Sequence, residues 1–259
     1  MTGSPSITLT FLGTGTSIGV PVIACNCPVC KSKDARDKRF RTSAMIRVNG
    51  RNIVIDCGPD FRFQMLKQNV DDIDAVIFTH EHRDHIAGLD DVRAFNYVLN
   101  KSIPIYGTHR VMEAIHTEFP YIFEENRFFG APQLTIHEID HTPFSIGDAE
   151  FIPIMVMHNK LSILGYRIND LAYITDASYV APEEIAKLKG TKVLVINALR
   201  NSKHVSHFSL SEAIAFIQQV QPERAYITHI SHFLGLYDEV EQKLPHGIHL
   251  AYDNLVVEV

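Results

Sequence analysis

The densest group of potential metal ligands in this chain is the segment Thr79-His-Glu-His-Arg-Asp-His85. Its spacing is His-x-His-x-Asp-His, which places three imidazoles and one carboxylate close together in sequence. Neutral imidazoles and carboxylates are common ligands of catalytic divalent metal ions. A loop can direct alternate side chains to two different points, so the spacing predicts a two-metal site. His80 and His82 would bind one ion. Asp84 and His85 would bind its neighbour.

The residues on either side of this motif predict where it lies in the fold. Residues 74–79, Asp-Ala-Val-Ile-Phe-Thr, form a short apolar run that is typical of a buried strand. Residues 86–99 have the apolar spacing of a helix. The ligands are therefore expected on a loop that joins a strand to a helix.

Three further predicted strands also end at a histidine or an aspartate. Val-Met-His158, Ile-Thr-Asp176 and Ile-Thr-His229 close these strands as Phe-Thr-His80 closes the first. Strand ends in α/β sheets commonly carry functional groups, so we expect the four ends to converge. His158 would then complete the first metal site and His229 the second, with Asp176 bridging both ions. A water between two cations loses a proton near neutral pH, and the resulting hydroxide can attack while both ions stabilise the developing charge.

A second group of potential ligands is the run Cys-Asn-Cys-Pro-Val-Cys at residues 25–30. Cys25, Cys27 and Cys30 cannot all pair with one another, so a disulfide would leave an odd thiol. Clustered cysteines in a cytosolic chain more often bind metal. Three thiolates predict a structural zinc site whose fourth ligand is a later histidine, and buried free thiols are the alternative. Cys57 lies in an apolar strand and is expected only to pack.

The composition is that of an ordinary globular protein. The chain has 259 residues, of which 46% are hydrophobic and 21% charged, and this length is enough to bury a sizeable core. The net charge of −6 argues against broad nucleic-acid binding, which depends on lysine and arginine contacts to phosphate. No apolar stretch is long enough to span a membrane, and residues 1–7 lack the features of a signal peptide. We therefore expect a cytoplasmic protein that does not enter a membrane.

The remaining apolar patterns predict strands and helices in two halves without a linker. Asn49-Gly50 between two apolar runs predicts a β-hairpin of residues 43–48 and 51–56. Further strands are predicted at 6–12, 104–106, 151–157, 163–168, 171–175, 192–196 and 224–228, and helices at 61–69, 108–119, 181–189 and 210–220. This order predicts one α/β domain over residues 1–259, with two sheets packed together and helices outside, in four layers.

The ligand pattern resembles that of the metallo-β-lactamase superfamily. The resemblance extends from Phe11-Leu-Gly-Thr-Gly15 through Ile55-Asp-Cys-Gly58 to Thr228-His229, which is nearly the whole chain. It implies an αββα sandwich of two mixed sheets, with the site at the edge of the sheets. Asp56 is then expected to orient one of the ligand histidines by a hydrogen bond.

Within that superfamily, Cys-x-Cys-x-x-Cys at 25–30 is similar to the PhnP-type phosphodiesterases of the carbon–phosphorus lyase pathway. This resemblance implies that the structural zinc takes His232, three residues beyond His229, as its fourth ligand. It also implies that His207 is a general acid, because a histidine can protonate a leaving alkoxide near pH 7. His204 is a nearby competitor for that role.

The expected activity is hydrolysis of small phosphodiesters, cyclic ones included, with His207 and Asp176 as catalytic residues and a bridging hydroxide as nucleophile. Mixed imidazole and carboxylate ligands accept zinc, manganese and iron, so the residues do not identify the two active-site ions. Members of the resembled family often dimerise, which makes a homodimer compatible with the sequence. The aromatic segment 119–132 is expected either to cover the ligand or to pack as a loop.

Other functions of the same superfamily fit the sequence less well. A ribonuclease Z-like nuclease shares the bridging aspartate and the phosphodiester chemistry, but it lacks the cysteine cluster and carries a glycine-rich basic arm that is not found here. Common two-zinc β-lactamases have a cysteine at the position of Asp176. A glyoxalase-II thioesterase would need more chain after His229, and single-iron dioxygenases lack the second ligand set. A metal-bound carrier without catalysis is the non-enzymatic alternative.

Overall fold

The structure is a computed structural model that describes residues 7–125 and 129–259. The predictions for Ser6 and for residues 126–128 of the aromatic segment lie outside the described residues. The other predicted strands are all present, although their ends differ by a few residues.

The first sheet is formed by the amino-terminal half of the chain and by its last strand. Its strands are β1 (Ile7–Gly13), β2 (Ser43–Val48), β3 (Arg51–Ile55), β4 (Ala75–Ile77), β5 (Ile103–Gly107), β6 (Leu134–Glu138) and β15 (Val256–Glu258). Their order is β15-β1-β2-β3-β4-β5-β6. β2 and β3 form the predicted antiparallel hairpin, and β3 to β6 run parallel. The sheet is therefore mixed.

The second sheet is formed by the carboxyl-terminal half. Its strands are β7 (Phe144–Ile146), β8 (Ala149–His158), β9 (Leu161–Ile168), β10 (Leu171–Tyr173), β11 (Tyr179–Val180), β12 (Val193–Asn197), β13 (Arg224–Thr228) and β14 (Ile248–Leu250). Their order is β11-β8-β9-β10-β12-β13-β14, and β7 pairs with β8. β9 is antiparallel to both β8 and β10, while β10, β12 and β13 are parallel. Because β8, β10, β12 and β13 point the same way, their carboxyl ends share one edge of the sheet.

Helices cover the outer face of each sheet. The α-helices of the described residues are α1 (Pro28–Lys31), α2 (Phe61–Lys67), α3 (Arg83–Ile86), α4 (Arg93–Leu99), α5 (His109–Glu118), α6 (Pro182–Lys187), α7 (Leu210–Val220) and α8 (Tyr237–Glu241). α2, α4 and α5 pack on the first sheet, and α6, α7 and α8 pack on the second. Side chains of both sheets, such as Phe11 and Tyr166, fill the core between them. The predicted αββα sandwich is confirmed. Among the described residues, no helix is long and apolar enough to cross a lipid bilayer.

The helix predicted over 86–99 is interrupted. The chain forms α3, then a 3₁₀ turn at Leu89–Val92, and only then α4. Gly88 lies at the break, where its N–H donates to the carbonyl of Cys57 at 2.8 Å. A Cβ atom at Gly88 would overlap the backbone oxygen of Gly58. The close approach to the loop after β3 therefore excludes one regular helix through these residues.

Among the described residues, five strands that the sequence did not predict are present, namely β6, β7, β11, β14 and β15. β7, β14 and β15 have three residues each. Such a short segment shows little alternation of apolar and polar side chains, so its pattern is hard to distinguish from that of a loop. Pairing with a neighbouring strand, rather than local pattern, defines these strands.

Candidate metal centre

The site lies where the carboxyl ends of strands from both sheets meet. His158 is the last residue of β8, and His229 directly follows β13. His80 and Asp176 follow β4 and β10 after two intervening residues each. The convergence expected from the sequence is thus produced by strand direction: parallel strands deliver the residues that follow them to one edge.

Two hydrogen bonds hold the first sheet against the second at this edge. The N–H of Leu164 donates to the carbonyl of Thr79 at 3.1 Å, and the hydroxyl of Tyr166 donates to the carbonyl of Phe78 at 2.6 Å. Leu164 and Tyr166 lie in β9, whereas Phe78 and Thr79 directly precede His80. The loop of the His-x-His motif is therefore fixed to the sheet that supplies His158.

Three residues at the site have a left-handed backbone. Asp56 has φ +62°, Asp176 has φ +58° and His229 has φ +55°. Residues other than glycine adopt this region rarely, and they concentrate at functional sites where the surrounding structure holds them. Each of the three follows a strand, so the left-handed residue turns the chain out of the strand direction at the shared edge.

The first group of possible ligand atoms is that of His80, His82 and His158, the residues that the sequence assigned to one ion. Their ligand atoms all lie within 4.8 Å of one another. His80 Nε2 is 3.0 Å from His82 Nδ1. His158 Nδ1 is 2.8 Å from the carbonyl oxygens of Asp176 and Ser206, which leaves Nε2 free to face the group. Burial lowers the pKa of His80 well below its usual value and also lowers the pKa of His82. Both imidazoles are therefore neutral, the form that binds metal.

The second group is centred on His85 and Asp176. His85 Nε2 is 3.3 Å from Asp84 Oδ2 and 3.4 Å from Asp176 Oδ2. His229 Nδ1 is 3.1 Å from the same oxygen of Asp176. The compact set of possible ligand atoms here is His80, His85 and Asp176. Asp84 and His229, which the sequence assigned to this ion, adjoin that set through His85 and Asp176.

Asp176 lies between the two groups. Its carboxylate belongs to a compact set with His80 and His85 on one side and to another with His158 and His207 on the other. His207 Nδ1 is 3.7 Å from Asp176 Oδ1. Thr175 donates a hydrogen bond to Asp176 Oδ2 at 2.7 Å, which helps to fix the orientation of the carboxylate. This central position is the one that the sequence predicted for a bridging ligand.

The charges of the second group favour a cation among them. Burial works to lower the pKa of His85, but the carboxylates of Asp84, Asp56 and Asp176 outweigh it and raise that pKa well above its usual value. Burial likewise works to raise the pKa of Asp176, but His229 and His85 outweigh it and lower that pKa well below its usual range. A proton shared among these groups, or a metal ion in its place, balances the buried carboxylates.

Several buried ring nitrogens at the site have no hydrogen-bond partner among the described residues. They are Nε2 of His85, Nδ1 of His207 and both ring nitrogens of His229. A buried polar atom without a partner costs free energy, so a cluster of them is unusual in a folded protein. Divalent ions bound at His85 and His229 would satisfy part of this set. The donor set therefore fits the metal ions that the sequence predicted.

Asp56 orients His85, as expected. Its Oδ2 lies 2.7 Å from His85 Nδ1, which directs Nε2 of the same ring toward the site. The backbone N–H and the hydroxyl of Thr79 donate to the same carboxylate at 2.8 and 2.9 Å. Burial raises the pKa of Asp56. A carboxylate behind a ligand histidine fixes the tautomer and the orientation of the ring.

His207 packs against the site, and His204 lies farther out. The ring centroid of His207 is 4.7 Å from those of His158 and His229, and 5.2 Å from that of His204. His204 Nδ1 instead accepts a hydrogen bond from the backbone N–H of Ser206 at 3.3 Å. Burial lowers the pKa of His207 to about 3, so its imidazole is neutral at pH 7 in the free protein.

The cysteine cluster forms a second, separate group with His232. The sulfur atoms of Cys25, Cys27 and Cys30 lie 3.4, 3.3 and 3.5 Å from His232 Nδ1. The four ligand atoms lie within 4.8 Å of one another, and all four cysteines of the chain are free thiols. The hydrogen bond from the backbone N–H of Cys30 contributes most to a pKa of about 6 for Cys27, which favours the thiolate that binds zinc. Cys57 is buried in the core under α2, away from this group.

Sequence reasoning missed residues that hold these side chains in place. Thr79 supports Asp56, and the hydroxyl of Ser231 donates to the carbonyl of Leu199 at 2.6 Å. A weak signal was available for the first of them, because a threonine precedes His80, Asp176 and His229 alike. No such signal marks Ser231, whose partner is 32 residues away in sequence.

Comparison with known proteins agrees with this geometry. The sequence profile of the family described as "Beta-lactamase superfamily domain" matches residues 51–230. The chain belongs to the metallo-β-lactamase superfamily. A solved structure described as a new diphosphatase from the PhnP family superposes with a TM-score of 0.91, at 38% identity, and 98% of each chain is covered. Within the superfamily, the chain thus belongs to the PhnP family.

Two curated proteins that match the chain carry other names. An octanoyltransferase of Porphyromonas gingivalis is 42% identical over 248 residues, which are 95% of this chain and 50% of that protein. This chain therefore spans half the length of the octanoyltransferase that it matches. A ribonuclease Z of Lachnoclostridium phytofermentans is 24% identical over 74% of this chain and 82% of that protein.

Proposed function

We propose that the chain is a dinuclear metal-dependent phosphodiesterase that acts on small phosphodiesters, cyclic ones included. The observation that carries this proposal is the position of Asp176, whose carboxylate lies between two groups of imidazoles. The description of the PhnP-family relative as a diphosphatase supports hydrolysis at a phosphoryl group. The proposed ligands are His80, His82 and His158 for one ion, Asp84, His85 and His229 for the other, and Asp176 for both. Zinc, manganese and iron all suit these ligands.

Different residues of the chain are proposed to have different roles in this reaction. Two divalent ions, when bound, lower the pKa of a water molecule and stabilise charge on the phosphoryl oxygens. Asp56 holds His85 in one orientation. His207 is proposed to protonate the leaving oxygen. Because burial lowers its pKa to about 3 in the free protein, this role requires a bound phosphodiester anion beside His207 to raise its proton affinity.

The surface beside the first group supports a small substrate. An open cleft of about 500 Å³ adjoins His82 and His158, and Lys160 lines it. The net charge of −6 does not favour a long nucleic acid. A ribonuclease Z-like nuclease is the second candidate, because a ribonuclease Z is among the relatives.

We also propose that Cys25, Cys27, Cys30 and His232 hold one structural zinc, and that residues 1–259 form a single domain. The convergence of three sulfur atoms on one ring nitrogen supports the zinc site. Tetrahedral sites of three cysteines and one histidine are a common structural zinc class.

Turnover of bis(p-nitrophenyl) phosphate and of a 2′,3′-cyclic nucleotide tests the proposed activity. The protein is reconstituted with zinc or manganese and compared with Asp176→Ala. Asp148→Ala is the matched control, since Asp148 is an exposed aspartate at the turn before β8, at the opposite end of that strand from His158. A precursor tRNA and an octanoyl thioester are assayed alongside, because two of the relatives are named as a ribonuclease and an octanoyltransferase.

Metal-dependent phosphodiester hydrolysis that disappears in Asp176→Ala and persists in Asp148→Ala is the expected result. Preference for the precursor tRNA would favour the nuclease. Binding of both active-site ions without hydrolysis of either phosphodiester would overturn the proposal. Hydrolysis of the thioester alone would assign the site to acyl chemistry instead.

A further inference from the structure

Asn197 lies behind Asp176, at the carboxyl end of β12. It is fully buried. Its carboxamide oxygen accepts a hydrogen bond from the backbone N–H of Ala177 at 2.7 Å, and its amide nitrogen donates to the carbonyl of Ala177 at 3.0 Å. One side chain thus pairs with both polar backbone groups of the residue that follows Asp176.

These two hydrogen bonds replace a strand pairing that ends just before Asp176. β10 and β12 pair in parallel up to Tyr173 and Val195, and the N–H of Ile174 still donates to the carbonyl of Val195 at 3.0 Å. Beyond that point the chain turns out of the sheet, because Asp176 has a left-handed backbone. Buried backbone groups need partners, and the carboxamide of Asn197 supplies them where the neighbouring strand no longer does.

The same strand end also contacts the segments that carry two other site residues. The carbonyl of Ala177 accepts a second hydrogen bond, at 2.8 Å, from the N–H of Phe208, which follows His207. The N–H of Ala198 donates at 3.0 Å to the carbonyl of Thr228, which precedes His229. The end of β12 is therefore connected to the backbone beside Asp176, His207 and His229.

We propose that Asn197 is a positioning residue that holds the Asp176 carboxylate between the two metal groups. The proposal rests on the proposed role of Asp176 as a shared ligand. A left-handed aspartate is unfavourable by itself and persists only when its surroundings fix it. Without the carboxamide, the backbone at residues 176–177 loses the partners that hold it in this conformation, and the carboxylate is no longer directed at both groups.

The chain offers a matched control in Asn96. This asparagine in α4 is also buried, and its carboxamide donates to the carbonyls of Lys101 and Gln133 and accepts from the N–H of Gln133. Lys101 and Gln133 precede β5 and β6, so Asn96 lies at the amino-terminal edge of the first sheet, opposite the site. It performs the same kind of backbone pairing without any contact to the metal groups.

The test compares Asn197→Leu and Asn197→Ser with Asn96→Leu and Asn96→Ser. Leucine keeps the approximate volume and removes both hydrogen bonds, and serine is the milder change if the leucine variant does not fold. Measurements on each full-length variant are the metal content after dialysis at a fixed free Zn²⁺ concentration, the absorption spectrum with Co²⁺ in the site, and the melting temperature.

The expected result is that the Asn197 variants bind one of the two active-site ions about 10- to 100-fold more weakly and change the Co²⁺ spectrum. The Asn96 variants should melt earlier with unchanged metal affinity and spectrum. Asn197 variants that melt earlier but keep wild-type metal affinity and spectrum would overturn the positioning role. If the wild-type protein itself binds no pair of ions, the proposed function fails, and that outcome is distinct from failure of the role of Asn197.

Discussion

Asp176 contributes both its charge and its backbone conformation to the site. Its carboxylate lies 3.1 Å from His229 Nδ1 and 3.4 Å from His85 Nε2, and its φ of +58° turns the chain out of the sheet. Aspartate and asparagine enter the left-handed region more readily than most residues other than glycine. The residue type at this position therefore serves the geometry as well as the charge. The proposed role of His207, which lies near Asp176, can be tested by kinetics.

His207→Ala should slow hydrolysis most for substrates with poor leaving groups. General acid catalysis typically contributes about 10²- to 10⁴-fold, and a stable leaving anion such as p-nitrophenolate needs little of it. We expect a loss of about 100-fold or more with an alkyl ester or cyclic nucleotide and less than about 10-fold with bis(p-nitrophenyl) phosphate. His204→Ala is the control and should keep near wild-type kcat. Equal losses with good and poor leaving groups would assign His207 to metal or substrate binding instead.

Loops at the site edge depend on glycine where two chain segments touch. A Cβ atom at Gly58 would overlap the backbone oxygen of Asp84, and one at Gly88 would overlap the backbone oxygen of Gly58. The loop after β3 and the turn after α3 are thus packed backbone against backbone. This packing brings Asp56 to within 2.7 Å of His85.

Gly58→Ala should displace the segment that carries Asp84 and His85. We expect a stability loss of about 1–3 kcal/mol from the steric overlap, together with roughly 10-fold weaker binding of one active-site ion. Gly50→Ala in the β2–β3 hairpin is the control, because its added Cβ meets no atom within 4 Å although its φ is +76°. The control should lose stability without any change in metal affinity. Metal affinities are measured by titration. A Gly58→Ala protein that binds both ions with wild-type affinity would contradict this expectation.

Asp253 joins the carboxyl-terminal segment to the loop after β1. It is buried, and it accepts hydrogen bonds from the N–H and hydroxyl of Thr14 and from the N–H of Phe40. Thr14 in turn accepts a hydrogen bond from the backbone N–H of Ile230, which follows His229. Burial is the main cause that raises the pKa of Asp253 from 3.8 to about 6.

This raised pKa predicts a pH dependence of stability. Because the folded state holds the proton of Asp253 more tightly than the unfolded state does, the contribution to stability is complete below pH 3.8 and is lost as pH rises through about 6. Asp253→Asn lacks this ionisation. The free energy of unfolding of wild type, minus that of Asp253→Asn, should therefore fall between about pH 4 and pH 7 in urea titrations. A difference that stays constant with pH would contradict the prediction.

At the scale of the whole molecule, the cysteine group connects the two ends of the chain. Cys25 and His232 are 207 residues apart in sequence, yet their ligand atoms lie 3.4 Å apart. The connection lies beside the candidate metal centre, since His232 follows His229 by three residues and the N–H of Thr16 donates to the carbonyl of Ile230 at 3.1 Å. A cross-link that closes a long loop stabilises the folded state, and bound zinc would act in this way.

Cys27→Ser should remove one zinc per chain and lower the melting temperature. A shift of 1 kcal/mol corresponds to roughly 2–4 °C in a domain of this size, so loss of a structural zinc should lower the midpoint by about 5 °C or more. Cys57→Ser is the control, because the buried side chain of Cys57 belongs to none of the ligand groups found among the described residues. It should lower the midpoint at unchanged zinc content. Zinc content and melting temperature are measured by elemental analysis and calorimetry. Unchanged zinc content in Cys27→Ser would remove the proposed site.

The sequence by itself determined the fold class and the residues that gather at the site. Short apolar runs that end in His80, His158, Asp176 and His229 are a local signal in the sequence. The carboxyl ends of parallel strands lie at one edge of a sheet, so the residues that follow them are expected to lie close together. The Cys-x-Cys-x-x-Cys run is equally local. Both features could therefore be found without knowledge of any long-range contact.

Only the tertiary structure decided how these residues are held and which of them share one group. The hydrogen bonds of Asn197 to Ala177, 20 residues away, and the contact of Gly88 with the loop after β3 depend on pairings between distant segments. The break in the helix predicted over 86–99 and the short edge strands have the same origin. The pattern of apolar and polar side chains predicts which face of a strand or helix is buried. Close backbone contacts and left-handed turns depend instead on the neighbouring segments that pack against the chain.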